Sequence, residues 1–228
     1  MIKYVLLDLD DTILDFHKAE YEALKDTLLH FGIEPSDAEI ARYSVINDAQ
    51  WKRLEKGELT REQVKLRRFE IFFAELGVDC NAEEARTYYE KRLAIGHYFL
   101  PGAEEMLKEL AKDYKLYLVS NGTTAVQNGR VKSAGIAPLF AGIFLSEAIG
   151  YVKPQREFFD ACFGEIDGFD PAQAIILGDS LTSDIQGGIN AGVRTCWFNP
   201  SGKEGREDIV PDFTISSPDE FVPLLKTL

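Results

Sequence analysis

The chain has 228 residues, 45% of them hydrophobic and 28% charged, with a formal net charge of −13. That is enough apolar material for one large domain or two smaller ones, and the acidity argues against binding to nucleic acids or anionic membranes, which require a basic surface. An anionic ligand would have to be met by a locally positive site, from a metal, a lysine or backbone N–H groups. Three cysteines, Cys80, Cys162 and Cys196, are odd in number and far apart, so neither a disulfide framework nor a zinc cluster is expected. No apolar stretch reaches the length of a membrane span. The first apolar run breaks at Asp8, too early for a secretory signal, and a cytoplasmic protein is expected.

The chain opens on a buried-strand pattern, Tyr4 to Leu7, that ends in an acidic knot of Asp8, Asp10 and Asp11 followed by Thr12. Carboxylates this close resist ionising together. A bound cation, or a task needing two carboxylates in different protonation states, would offset the cost. From about His17 to Gly96 the texture is helical, with helices expected over 17–31, 37–56, 61–76 and 82–95. Ser36 with Glu39 and Thr60 with Gln63 have the capping-box spacing, and Asn81 can cap with Glu84 nearby. Gly32, Gly57, Gly77 and Gly96 fall at helix stops. Phe69, Phe72, Phe73 and Leu76 share one face at i, i+3, i+4, i+7.

From Pro101 onward helices and strands alternate. A helix through Met106, Leu107 and Leu110 leads to a strand over 115–119, a helix over 124–134, a short strand over 142–145 and a helix over 156–165. A strand over 174–177, a helix over 183–191, strands over 194–198 and 213–215, and a final helix opened by Ser217-Pro218-Asp219-Glu220 complete the chain. Alternation of this kind implies right-handed βαβ units and a parallel sheet. The reading is an α/β fold: a Rossmann-like, doubly wound parallel core from residues 1–14 and 98–228, with an all-helical unit, 15–97, inserted after the first strand. That unit should hang over the site as a lid.

In such sheets the site lies beyond the carboxyl ends of the strands, where this sequence places its polar clusters. Asp8 and Asp10 alternate on an extended strand end, so both can face one site while Leu9 points away. Asp179 follows another strand, and Asp184 opens the next helix. Carboxylate oxygens suit a hard cation such as Mg²⁺. Ser120 offers a hydroxyl, the Asn121-Gly122 backbone opens toward a helix N-terminus suited to anions, and Lys153 supplies positive charge. Together these are the parts for phosphoryl transfer.

Four segments resemble the motifs of the haloacid dehalogenase-like superfamily of phosphohydrolases: Asp8-Leu9-Asp10-Asp11-Thr12, Ser120-Asn121, Lys153-Pro154, and Gly178-Asp179-Ser180-Leu181-Thr182-Ser183-Asp184. They cover the whole core in order, and the helical insertion resembles the superfamily's C1 cap. The resemblance implies that Asp8 attacks phosphorus to form an aspartyl-phosphate, and that Asp10 protonates the leaving oxygen and later deprotonates water. It implies Mg²⁺ held by the Asp8 carboxylate, the Asp10 backbone carbonyl and Asp179, with Asp184 bound directly or through water. Ser120 and Lys153 would hold phosphate oxygens, and Lys153 would also hold Asp8. An aspartate at position 10 favours ester hydrolysis over dehalogenation, which needs no protonated leaving group. Phosphonate hydrolases use a cap lysine, and none of Lys18, Lys25, Lys52, Lys56 or Lys65 lies in a plainly apolar setting.

Further stretches resemble the noncanonical pyrimidine 5′-nucleotidases of the superfamily: Asn121 to Gln127 with Arg130, Gly187 to Gly192, Thr195 to Asn199, and Val45 to Asp48 with Trp51. The expected substrate is therefore a small phosphomonoester, a nucleoside 5′-monophosphate, pyrimidine and deoxy forms especially. The alternatives are a sugar phosphate or phosphoglycolate, or a phosphate-binding regulator without turnover. The protein would act as a monomer or homodimer, with no nucleic acid or membrane partner. Asn121 is a candidate substrate contact. Asn47 and Trp51, i and i+4 on one helix face, could read and stack a base, though a helical tryptophan is commonly core. Asp11 and Thr12 read as turn residues, His17 as a surface residue, Arg67 and Arg68 as solvated charges, and Trp197 as core.

Overall fold

The computed structural model describes residues 1–228. Strand β1 (Tyr4–Leu7) is followed by four helices, α1 (Phe16–His30), α2 (Asp37–Glu55), α3 (Arg61–Leu76) and α4 (Ala82–Leu93). The chain then returns through α5 (Ala103–Asp113) to β2 (Lys115–Ser120), α6 (Thr124–Ser133), β3 (Phe140–Leu145), the one-turn α7 (Ser146–Ile149) and α8 (Arg156–Gly164). Strand β4 (Ala174–Gly178), α9 (Gln186–Ala191), β5 (Arg194–Phe198), β6 (Phe213–Ile215) and α10 (Phe221–Leu225) complete it.

The six strands form one sheet in the order β3-β2-β1-β4-β5-β6, every pair parallel. The order reverses beside β1, and ligands of such sheets sit in the crevice at that reversal. Asp8 leaves β1 and Asp179 leaves β4 there, with Leu7 opposite Leu177 in the shared register. The central strands β1, β2 and β4 are buried on both faces, and their side chains alternate between them. Val5, Leu7, Leu116, Leu118, Ile175 and Leu177 pack with Met106, Leu107 and Leu110 of α5 and Phe221 of α10. Tyr4, Leu6, Tyr117, Val119 and Ile176 pack on the other side with Phe158, Phe159 and Cys162 of α8.

Helices α1 to α4 close around an apolar cluster of their own, with Leu24, Tyr43, Phe69, Phe72 and Tyr89 at its centre. Both expected capping boxes form, at Ser36–Glu39 and Thr60–Gln63, and the Asn81 side chain accepts from the Glu83 and Glu84 amides. Two antiparallel segments carry the chain out to these helices and back. Leu14 pairs with Phe99, the Asp15 amide donates to the Tyr98 carbonyl at 2.8 Å, and the Leu100 amide to the Ile13 carbonyl at 3.0 Å. Asp11 turns the chain toward this hinge in the left-handed region, φ 54°, a conformation aspartate tolerates better than most residues. Its carboxylate accepts from the Phe16 amide at 2.8 Å.

The helix expected over 183–191 is divided. Residues 181–185 form a wide π-type turn, in which the Ser180 carbonyl accepts from both the Asp184 and Ile185 amides, at 2.9 and 3.2 Å, and α9 begins only at Gln186. Such turns cluster at functional sites because they re-aim a side chain. The final helix starts as a 3₁₀ turn, Pro218–Glu220. Helix α7 has too few residues to show periodicity in the sequence. All three cysteines are free, and no helix is long and apolar enough to cross a membrane.

Candidate active site

The crevice beside β1 gathers side chains from four separate segments. Asp8 and Lys153 are buried, and Asp184 is 1% exposed. The Lys153 ammonium donates to Asp8 Oδ1 at 2.6 Å, to Asp184 Oδ1 at 2.6 Å and to the Val119 carbonyl at 2.8 Å. These three bonds use all of its protons. Lysine 153 therefore organises the carboxylates, and the phosphate contact expected of it has no free donor in this arrangement. Asp184 Oδ2 accepts from the Ser180 amide at 3.1 Å, which closes the π-type turn. Gly178 makes room for this: a Cβ there would lie 2.2 Å from Asp184 Cγ.

One oxygen each of Asp8, Asp179 and Asp184 lie within 4.8 Å of one another. Burial pushes the Asp8 carboxyl up to about 8, with Lys153 opposing the rise and Asp184 and Asp10 adding to it. Burial, then Asp184 and Asp8, hold Asp179 well above the usual carboxylate range. Burial alone would lower the Lys153 ammonium, yet Asp184 and Asp8 outweigh it and hold it above its ordinary value. One ammonium thus leaves the cluster short of positive charge, and the donors are all hard oxygens. The set fits a divalent cation of the Mg²⁺ type.

The Asp10 carboxylate points elsewhere. Its Oδ2 accepts from Gln127 Nε2 at 2.6 Å, and its Oδ1 pairs with the fully buried Arg130 guanidinium. Gln127 Nε2 also donates to Ser120 Oγ at 2.9 Å, and the Gly122 amide donates to the same oxygen at 3.1 Å. With Ser120 Oγ accepting twice, its own proton is the donor available to a ligand. Asn121 uses its side chain on the chain itself: Nδ2 donates to the Lys153 carbonyl at 2.9 Å and Oδ1 accepts from the Lys153 amide at 2.8 Å. This clamp positions Lys153 and leaves the Asn121 side chain otherwise engaged. The N-terminus of α6 also has an internal partner, since the Thr124 amide donates to Glu147 at 2.7 Å.

A cavity of about 450 Å³ joins these groups to α1, α2 and α3. Asn47 and Trp51 both line it, with Phe16, Glu20, Arg68 and Glu55. Asn47 is buried and committed at both ends, donating to Glu20 Oε1 at 2.7 Å and accepting from Arg68 Nη1 at 3.0 Å. Trp51 is half-buried, and the Arg61 guanidinium lies 5.5 Å from its ring. Three hydrogen bonds made by Arg61 and Thr182 bridge the helices to the sheet half. Arg61 donates to the Asn121 carbonyl and to Ser146 Oγ, each at 2.5 Å, and Thr182 Oγ1 donates to Glu55 at 3.1 Å.

Several of these residues gave no usable signal in the sequence. Arg68 does not behave as a solvated charge: it is 3% exposed, held by Asn47 and within 3.6 Å of Glu90, whereas Arg67 is exposed. Glu20 is buried, which raises its carboxyl. Trp197 is core, and its Nε1 also donates to the Asp179 carbonyl at 2.8 Å. Gln127 and Arg130 stood in a resembling stretch, but their common target, Asp10, lies more than a hundred residues away in sequence. His17 is exposed, 3.4 Å from Asp11.

A family model described as haloacid dehalogenase-like hydrolase matches residues 5–198. The HAD-hydrolase YfnB of Bacillus subtilis is 36% identical over 221 residues, covering 97% of this chain and 94% of that one. Its magnesium-bound crystal form, described as revealing interdomain movement, superposes with a TM-score of 0.94 over 98% of each chain. The pyrimidine 5′-nucleotidases PynA of Streptococcus pneumoniae and YjjG of Escherichia coli are 35% and 29% identical. They cover 98% and 97% of this chain, and 94% and 97% of their own. With its motifs converging at the carboxyl ends of β1, β2 and β4, the chain belongs to the haloacid dehalogenase-like hydrolase family.

Proposed function

We propose that this protein is a Mg²⁺-dependent phosphomonoesterase acting on nucleoside 5′-monophosphates, pyrimidine and deoxy forms foremost, and that residues 15–97 form a cap over its site. The observation that carries the reading is one cavity lined both by the Asp8, Asp10, Ser120 and Lys153 cluster and by Trp51, an aromatic face suited to a base. The nucleotidase relatives PynA and YjjG support the substrate class, and magnesium-bound YfnB supports the metal.

Asp8, Asp179 and Asp184 would hold the Mg²⁺, which when bound neutralises carboxylate charge and polarises a phosphate oxygen. Asp8 attacks phosphorus with an oxygen lone pair. The bond from phosphorus to the ester oxygen breaks, and a proton from Asp10 goes to the leaving alkoxide. Asp10, now a carboxylate, takes a proton from water as the water oxygen attacks phosphorus. The Asp8–phosphorus bond breaks, and inorganic phosphate leaves with Asp8 restored. Lys153 aims Asp8 and opposes the effect of burial on its charge, and Ser120 donates to a phosphate oxygen.

The test is a screen of phosphate release from nucleoside monophosphates, sugar phosphates and phosphoglycolate, with Mg²⁺ and with EDTA. A pyrimidine nucleoside 5′-monophosphate should lead, EDTA should abolish release, and Asp8→Asn should be inactive. A screen led by a sugar phosphate or phosphoglycolate would overturn the substrate class. Full activity of Asp8→Asn would overturn the mechanism.

A further inference from the structure

We propose that Arg130 and Gln127 are positioning residues for Asp10, and that Arg130 ties this carboxylate to the hinge carrying helices α1 to α4. The inference rests on the phosphomonoesterase reading above, in which Asp10 serves the leaving group.

Helix α6 belongs to the sheet half of the molecule, yet one of its faces is the seat of the hinge. Val126 packs into the apolar cluster of the four helices. Gly129 lies against Ala94, where a Cβ would fall 2.7 Å from the Ala94 carbonyl oxygen and 2.8 Å from its Cβ. Arg130 Nε donates to the Gly96 carbonyl at 2.9 Å, and its guanidinium lies 5.7 Å from the Phe16 ring. Ser133 Oγ donates to the Ile95 carbonyl at 3.1 Å and lies 2.7 Å from His97 Nδ1. Positions 126, 129–130 and 133 follow the i, i+3/i+4, i+7 rhythm of one helical face. Phe16 and Gly96 stand on the outgoing and returning segments, so Arg130 touches both.

The same guanidinium grips Asp10 through Nη1. Gln127 holds the other Asp10 oxygen and is itself tied to Arg130, whose Nη1 donates to Gln127 Oε1 at 3.3 Å. Arg130 is completely buried, and its Nη2 has no acceptor. Each Asp10 oxygen accepts one bond here and keeps a second lone-pair direction, so the grip fixes the carboxylate plane without filling its reactive positions. Because one rigid, planar group bonds both Gly96 and Asp10, displacement of the hinge draws the guanidinium away from the carboxylate. Asp10 is then aimed only when the four-helix unit is seated.

The assay compares two esters. p-Nitrophenyl phosphate has a leaving group that needs no proton, whereas an alkyl ester such as a nucleoside 5′-monophosphate does. Arg130→Met and Gln127→Met keep side-chain bulk and remove the grip. Their kcat/KM, which counts only the steps through formation of the aspartyl-phosphate, should fall about 100-fold on the alkyl ester, within the range general acid catalysis contributes, and less than about tenfold on the aryl ester. Gly129→Ala leaves both grip residues in place and pushes Ala94 off α6; it should reproduce the selective loss at about tenfold. Equal losses of kcat/KM on both esters in the methionine variants would overturn the positioning role, because a merely structural residue affects both substrates alike. A folded Gly129→Ala with the wild-type ratio of rates would overturn the link to the hinge. If Arg130→Met fails to fold, Gln127→Met gives the same readout. Asp10→Asn separates the two levels: wild-type activity of that variant on the alkyl ester would sink the acid role of Asp10 itself, whatever the Arg130 variants do.

Discussion

Replacing Lys153 by methionine tests how the carboxylate cluster is held together. Methionine nearly matches the buried length of lysine but supplies no charge, so Asp8, Asp184 and the Val119 carbonyl each lose a donor. Carboxylate oxygens within 4.8 Å of one another repel by at least about 3.5 kcal/mol per ionised pair at an effective dielectric near 20. Removing one partner of a buried ion pair typically costs about 3–5 kcal/mol, and the two figures agree. For 228 residues the unfolding entropy is about 0.5 kcal/mol/K, so the metal-free variant should melt roughly 6–10 °C below wild type. The deficit should widen from about pH 6 to about pH 9, because protons can neutralise the carboxylates only at the lower end. Mg²⁺ should raise the melting temperature of the variant more than that of wild type, since it supplies the missing charge, while phosphatase activity stays lost for want of an aimed Asp8. Thermal melts with EDTA and with Mg²⁺ at both pH values decide the matter. A metal-free Tm within about 2 °C of wild type, or a Mg²⁺ increment no larger than in wild type, would refute the charge accounting.

In the wild-type protein the Asp8 carboxyl, raised to about 8, gives the metal-free fold stability that is full below about pH 4 and fades as pH rises through about 8, and the raised Asp179 carboxyl acts in the same direction. Because Mg²⁺ must displace these protons, its apparent affinity should tighten between about pH 6 and pH 8, by up to about tenfold per pH unit for each proton released. Calorimetric titration at three pH values would show a flat Kd if the carboxyls were already ionised. Trp51→Ala should raise KM for a nucleoside monophosphate by roughly 10- to 100-fold, the worth of one base stack, and leave kcat/KM for phosphoglycolate nearly unchanged; equal effects on both would argue that Trp51 only packs. Gly178→Ala places a Cβ 2.2 Å from Asp184 Cγ, which should cost about 1–3 kcal/mol and weaken Mg²⁺ binding, both readable in one set of melts. Unchanged Mg²⁺ binding would show that Asp184 can relocate at no cost to the site.

Much of the architecture was legible because it is written in local patterns. The capping boxes at Ser36 and Thr60 formed as expected, since a cap needs only residues three apart. The apolar runs ending at Asp8, Ser120 and Asp179 announced parallel strands whose carboxyl ends share one crevice. The start of α9 falls later than the sequence suggests because a π-type turn leaves no periodic trace, and that turn sets Asp184 on Lys153. Asn121 and Asn47 read as ligand contacts from resembling stretches and, for Asn47, from the helix face it shares with Trp51. Their engagement with Lys153, Glu20 and Arg68 depends on partners 21 to 32 residues away.

By itself, then, the sequence determined which chemistry is present: the Asp8–Asp10 pair, Ser120, Lys153 and the two later aspartates, in an order that a doubly wound sheet brings together. Tertiary structure alone decided how these groups divide their work. It gave all the lysine's protons to the carboxylates and the Val119 carbonyl, turned Asp10 away from the metal-type cluster onto Gln127 and Arg130, and set that arginine on the hinge. The reason is physical. Residue type and spacing settle which elements form, but a hydrogen bond between residues 10 and 130 is made only once packing has placed β1, α6 and the returning chain within about 3 Å of a common point.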